Sequence, residues 1–174
     1  MRSNRAGVTI NNREDRLIAT KLLSAAPAAF ALLAITALAG CSSGGGAPLS
    51  GGLTARMDQP GASLNRAEAL GILNAYRSTT GAGVLVADSG LDTTAQSLAA
   101  DYARTGNAPA LPAGAVGLRV SAGYANFAET FSGWRNSPPD AAAIANAAAR
   151  RAGLGVAYDA NSTYGVYWVL VLDD

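Results

Sequence analysis

Val166-Tyr167-Trp168-Val169-Leu170-Val171-Leu172 decides the fold, because no residue in this run is suited to face water. Strand residues alternate between two faces, so Val166, Trp168, Leu170 and Leu172 share one side while Tyr167, Val169 and Val171 share the other. Both sides are apolar, and both therefore need cover. Upstream, Leu154 and Val156 alternate within Arg151–Tyr158, and the polar stretch Asp159–Thr163 reads as a turn, so the C-terminal part is expected to be a β-hairpin. A small antiparallel sheet between helical layers, an α+β sandwich in three layers α-β-α, is the arrangement that covers it.

Three amphipathic segments supply the helices. Asn65 and Glu68 are spaced as a reciprocal capping pair, followed by Ala69, Ile72, Leu73 and Tyr76 on one face. A second helix is expected from near Ser89, with Leu91, Ala95, Leu98, Ala99 and Tyr102 on one side, ending at Gly106. Asn126 and Glu129 repeat the capping spacing ahead of Phe127, Phe131 and Trp134, and Pro138-Pro139 stop that helix. The aromatic stripe reads as core, not as a ligand platform.

The chain has 174 residues, 49% of them apolar and 14% charged, which is room for one globular domain once the N-terminal part is set aside. Residues 2 to 21 are basic overall, and Leu22 to Gly40 carry no charge. That order is the order of a secretion signal. The uncharged run is also long enough to raise an uncleaved membrane anchor as the alternative. Leu38-Ala39-Gly40-Cys41 resembles the lipobox of bacterial lipoproteins, and the resemblance decides for cleavage. It implies removal of residues 1–40, a diacylglycerol thioether on Cys41, and acylation, as by palmitate, of the new amino group. Each buried methylene contributes about 0.8 kcal/mol, so two or three chains anchor stably where one does not. Ser42, where an aspartate favours inner-membrane retention, implies the periplasmic face of the outer membrane if the source has one. The Gly-, Ser- and Pro-rich stretch to residue 61 reads as a tether, leaving 62–174 as the domain.

Two absences restrict the chemistry. There is no histidine, the usual general base and commonest metal ligand. Cys41 is the sole cysteine, which excludes an internal disulfide, a zinc–thiolate site and a Cys–His nucleophile. From Cys41 onward eight basic residues stand against ten acidic ones, a net charge of −2, and such a surface has no general attraction for nucleic acid.

The order of short motifs resembles the CAP superfamily, also called SCP or PR-1-like, in its short bacterial form. Leu73-Asn74-Ala75-Tyr76-Arg77 matches a leading "N-x-Y/R" helix, and Leu91 through Ala95-Gln96 matches a second helix opening "L…A-Q". Ala122-Gly123-Tyr124, Trp134-Arg135-Asn136-Ser137-Pro138, Gly153-Leu154-Gly155-Val156-Ala157-Tyr158 and Tyr167-Trp168-Val169 follow in the family's sequence. The resemblance spans Leu64 to Leu172 and implies the CAP/SCP type of α-β-α sandwich. It also implies a cleft in which two histidines and acidic residues hold a divalent metal, usually zinc. On this chain the first histidine falls on Ala110, the glutamate and asparagine of a "G-E-N" turn on Leu118 and Arg119, and the second histidine on Asp140. Alanine, leucine and one carboxylate make no zinc site, so no metal and no cofactor are expected. Asp140 reads first as a helix N-cap before Ala141–Ala149, and Arg119 as a surface or ion-paired group able to attract an anion.

The expectation is therefore a non-enzymatic envelope lipoprotein, without catalytic residues, held to a membrane by its lipid. Its partner is expected to be an envelope protein or an apolar small molecule, since the family implies sterol or fatty-acid binding in some members. The alternative is a hydrolase of envelope material using Ser121, Asp140, Glu129 or Tyr124, for which two carboxylates must face each other.

Overall fold

Strand pairing settles which way each residue of the 166–172 run points. The computed structural model describes residues 49–174, so Cys41 and the expected signal lie outside the described residues. The elements run α1 (Gly51–Thr54), α2 (Arg66–Thr79), β1 (Val86–Ala87), α3 (Ser89–Thr105), β2 (Gly117–Ala122), α4 (Phe127–Asn136), α5 (Pro138–Ile144), β3 (Arg151–Tyr158) and β4 (Val166–Asp173). The four strands form one sheet in the order β1-β3-β4-β2. β3 and β4 make the expected hairpin, in register from Arg151 opposite Asp173 to Tyr158 opposite Val166.

Two features of the sheet differ from expectation. β1 pairs with β3 in parallel, so the sheet is mixed. Leu118 and Arg119, which the resemblance puts in a turn, lie in the strand Gly117–Ala122, antiparallel to β4. Its alternation of Leu118 and Val120 with Arg119 and Ser121 is a period-two signal, too short to stand out beside the glycines around it.

Trp168, Leu170 and Leu172 pack against Leu73 of α2, Phe127, Phe131 and Trp134 of α4, and Ile144 of α5. Val169 and Val171 pack against Ala95 and Ala99 of α3. Trp168 through Leu172 are fully buried, each side chain contributing roughly 1.5–3 kcal/mol. The three layers are thus α2, α4 and α5, then the sheet, then α3. The buried face of α3 is Ala95, Ala99 and Ala103, whereas Leu91, Leu98 and Tyr102 are half-buried at its flanks.

The caps form largely as their spacing predicts. Asn126 Oδ1 accepts the Glu129 N–H at 3.0 Å, and the Glu129 carboxylate accepts the Ala125 N–H at 3.2 Å. Asn65 Oδ1 accepts the Glu68 N–H at 3.2 Å, but the return arm is absent because the Glu68 carboxylate accepts the Ser50 hydroxyl at 2.5 Å. α3 begins at Asp88, whose carboxylate accepts the Leu91 N–H at 3.0 Å and is held below its ordinary pKa chiefly by that bond. It ends at Gly106, whose φ of 71° is left-handed and suits glycine.

Two boundaries shift. Asp140 is not an N-cap: Ser137 holds that position, Pro138 and Pro139 open α5, and the helix stops at Ile144, not Ala149. Proline ends one helix and starts the next because its missing N–H is unneeded in a first turn. The folded part also begins earlier than residue 62. Leu53 and Met57 belong to the same buried core as Trp168, and the Met57 N–H donates to Ala125 O at 2.7 Å. Two isolated apolar residues in a Gly- and Pro-rich stretch show no period, so nothing local marks them as core.

Candidate functional site

Register divides the four positions, Ala110, Leu118, Arg119 and Asp140, onto which the resemblance carries the family's metal site. Arg119 stands opposite Leu170 and Ser121 opposite Trp168, on the face covered by α2, α4 and α5. Leu118, opposite Val171, points to the other face and packs with Ala95, Ala99 and Val169. Ala110 is exposed in the connection 106–116. Of the four, only Arg119 and Asp140 meet.

Arg119 Nη1 lies 2.8 Å from Asp140 Oδ1, with a quarter or so of each side chain exposed (25% and 29%). Its Nε is buried without a hydrogen-bond partner. A half-buried charge pair of this kind holds its two elements, β2 and the first turn of α5, in fixed relation. It also commits the carboxylate that falls on the family's second histidine position. A divalent ion needs several such donors converging, and no group of three or more His, Cys, Asp or Glu side chains is present among the described residues. The residues here do not fit the family's metal.

The carboxylate pair needed for hydrolysis is not formed either. Glu129 is exposed in the first turn of α4, where it caps the helix. Asp140 lies beyond the other end of α4, a helix of ten residues and hence about 15 Å long. Tyr124 is exposed with its hydroxyl over Gly133 of α4, and Ser121 sits half-buried in the sheet.

The polar residues that do converge serve the scaffold. Asn74 accepts the Leu85 N–H at 2.7 Å and donates to Leu85 O at 3.0 Å, closing the segment that leads into β1. Arg77 is fully buried and donates to Gly83 O and Ile144 O at 2.6 Å, and to Asn146 O and Ala149 O at 3.0 Å. No carboxylate is among those partners, and burial lowers the Arg77 pKa from its ordinary value. Beyond β1 the free edge of β3 is met by side chains. Asp92 accepts the Leu154 N–H at 2.8 Å, Arg66 donates to Leu154 O at 2.8 Å, and Gln96 donates to Val156 O at 2.7 Å. On the opposite edge Trp134 Nε1 donates to Val120 O at 3.1 Å. Filling edge positions in this way protects a sheet from pairing with another chain.

These roles were open to sequence reasoning. Arg77 continues the stripe Ala69, Leu73 at a spacing of four, and a charged residue on a buried stripe signals a group with internal partners. Gly153 and Gly155 likewise have a physical reason: α3 crosses them so closely that an added Cβ would lie 2.1 Å from Leu91 and 2.3 Å from Ala95 backbone atoms.

One apolar groove, of about 380 Å³, lies between α2 and α4 and is lined by Ile72, Tyr76, Phe131 and Arg135 among others. Tyr76 and Phe131 meet edge to face there, with centroids 5.9 Å apart. A second, of about 440 Å³, lies where Pro60 approaches Ala103, Arg104, Tyr158 and Asp159.

A three-layer sandwich whose motif residues clamp loops and sheet edges is the SCP type of α-β-α domain. The chain belongs to the cysteine-rich secretory protein family, CAP, whose pattern it matches over residues 70–172, more than half its length. MpPR-1i, from crystals soaked with selenourea, is similar in fold, with a TM-score of 0.52 and 19% identity over 62% of this chain and 89% of that one. An outer surface protein from Borrelia burgdorferi gives a TM-score of 0.52 at 14% identity, covering 62% of this chain and 91% of that one. An extracellular protein containing an SCP domain, from Bacillus anthracis str. Ames, gives 0.52 at 17% identity. There the match covers 62% of this chain but only 40% of that one. At such identities the likeness is one of fold. No curated protein matches the chain.

Proposed function

We propose that this protein is a lipid-anchored module of the bacterial cell envelope that works by binding an envelope protein or an apolar small molecule, without catalysis. The observation that carries this reading is the Arg119–Asp140 pair at 2.8 Å. It places a fixed cation beside the one carboxylate left at the family's metal positions, so a second cation meets repulsion where the family would hold zinc. The lipobox-like Leu38-Ala39-Gly40-Cys41 supports the anchor, and the bacterial surface and extracellular proteins of the same fold are in keeping with that location. The groove between α2 and α4 suits an apolar ligand, with Ile72, Tyr76 and Phe131 as walls and Arg135 at hand for a polar end.

Calorimetric titration of the purified protein with zinc, paired with mass spectrometry of its organic extract, tests both halves. The expected result is no zinc binding at micromolar concentration and a co-purifying apolar compound that Ala75→Trp, which fills the groove from an exposed position, removes. Stoichiometric zinc binding that Asp140→Ala abolishes would overturn the reading. An empty extract together with no captured envelope protein after crosslinking would overturn the binding role.

A further inference from the structure

The distance between Cys41 and the folded part decides which end of the domain meets the bilayer. The sequence alone allows a tether to residue 61, but Leu53 and Met57 are in the core and Ser50 is bonded to Glu68, so the leash ends at about Ser50. Eight residues lie between Cys41 and Ser50, nine steps along the chain. Whatever their conformation they span at most about 32 Å. A folded unit the size of residues 49–174 is about 36 Å across. The leash is shorter than the body it holds.

Several contacts locate its point of attachment. α2 starts beside Ser50 and Glu68 and ends where Asn74 and Arg77 reach Leu85 and Gly83, so its two ends lie about 20 Å apart. The segment after Ser50 runs through Met57, bonded to Ala125, to Pro60, which stands beside Tyr158, Asp159 and Ala160 at the β3–β4 turn. Attachment, hairpin turn and the start of α4 therefore share one end of the domain. β1, paired with Arg151 and Ala152 at the beginning of β3, lies at the other end, about 23 Å along the strand.

Of the exposed large apolar residues, all but Leu111, in the connection 106–116, fall into groups along the same axis. Tyr164 is at the turn end, where an added Cβ on Gly123 would lie 3.8 Å from its ring; Tyr124 follows Gly123 there with its ring lying along α4 over Gly133, and Leu49 is on the leash itself. Val84 and Val86 are at the β1 end. Tyrosine suits the membrane–water boundary, with an apolar ring for the acyl region and a hydroxyl for water. Arg56 and Arg104 at the turn end are each bonded to an aspartate, so no surplus of positive charge draws this surface to lipid. The leash and the aromatic rings are what hold it.

Resting on the lipid-anchor reading, we infer that the hairpin-turn end of the domain, with Tyr124 and Tyr164, is a lipid-contacting surface, and that the β1 end points away from the bilayer. Turning the β1 end to the lipid would take up about two-thirds of the leash's reach along the side of the domain and would bury neither tyrosine.

The sequence offers a clean test, because Cys41 is the only cysteine and acylation would consume it. The lipidated protein, carrying Tyr164→Cys or Val86→Cys, is labelled with an environment-sensitive fluorophore and incorporated into phosphatidylethanolamine–phosphatidylglycerol vesicles containing doxyl lipid. Tyr164 and Val86 are similarly exposed, 58% and 62%, so free solvent access does not distinguish them. Quenching at least twofold stronger at position 164 than at position 86 is expected, and Thr163→Cys, exposed in the same turn, should repeat it. Equal quenching, or stronger quenching at 86, on a preparation whose intact mass shows the acyl chains would overturn this inference alone. A preparation without acyl mass would overturn the anchor and this inference with it.

Discussion

Gly155→Ala is expected to destabilise the domain by about 3 kcal/mol, seen as a lower midpoint in urea or thermal unfolding. Strand propensity argues for the opposite sign, since glycine within a strand is less stable than alanine by roughly 0.5–1 kcal/mol. Packing overrides it. The new Cβ would lie 2.3 Å from the Ala95 carbonyl atoms and 2.5 Å from the Gln96 nitrogen, and all of these are helix backbone, which no rotamer change moves aside. Relief requires α3 to back away from β3 by about an ångström, loosening Ala95 and Ala99 from Val169 and Val171. Overpacking of this kind costs typically about 1–3 kcal/mol and more when backbone must shift. An unchanged or raised midpoint would show that α3 is not seated on the glycines.

The second large effect belongs to Arg77. Its guanidinium makes four hydrogen bonds to carbonyls of two separate loops and of α5, all at 2.6–3.0 Å and with no exposed surface. Arg77→Met keeps the apolar stem but leaves those carbonyls without their donor, and a lost bond to a charged group is worth about 1.5–3 kcal/mol. The expected loss is at least about 4 kcal/mol, most of the stability of a domain at the low end of the ordinary range of about 5–15 kcal/mol. Arg77→Lys should recover only part of it, since one ammonium cannot span the positions a planar fork reaches. Equal stability of Arg77→Met and the native protein would mean that the loops around Gly83 and Asn146 are held by something else.

Particular residues show why some of the fold was legible and some was not. The 166–172 run and the capping pairs Asn65/Glu68 and Asn126/Glu129 act locally or with a fixed period, so hairpin, helices and two-sided cover follow from them directly. β2 was missed because its strand signal is four residues long, and β1 because two residues carry no period at all. Leu53 and Met57 are placed in the core by tertiary contact, which no local pattern records. The four cleft positions come from the resemblance, and their geometry was not legible in the sequence. Ala110, Leu118, Arg119 and Asp140 mark the positions, yet only strand register reveals that Leu118 and Arg119 face opposite layers, and only tertiary structure brings Asp140 to Arg119. Asn74 and Arg77 belong to a motif read as a family signature, and their bonds explain it as a device for holding loops.

The anchor, the envelope location and the orientation toward lipid all depend on the chemistry of Cys41, so intact-mass analysis of the protein extracted from its native membrane is the most direct test. The account predicts a polypeptide that starts at Cys41 and carries the added mass of a diacylglycerol and an amide-linked acyl chain. A product that retains residues upstream of Cys41, or one with an unmodified thiol, would contradict it.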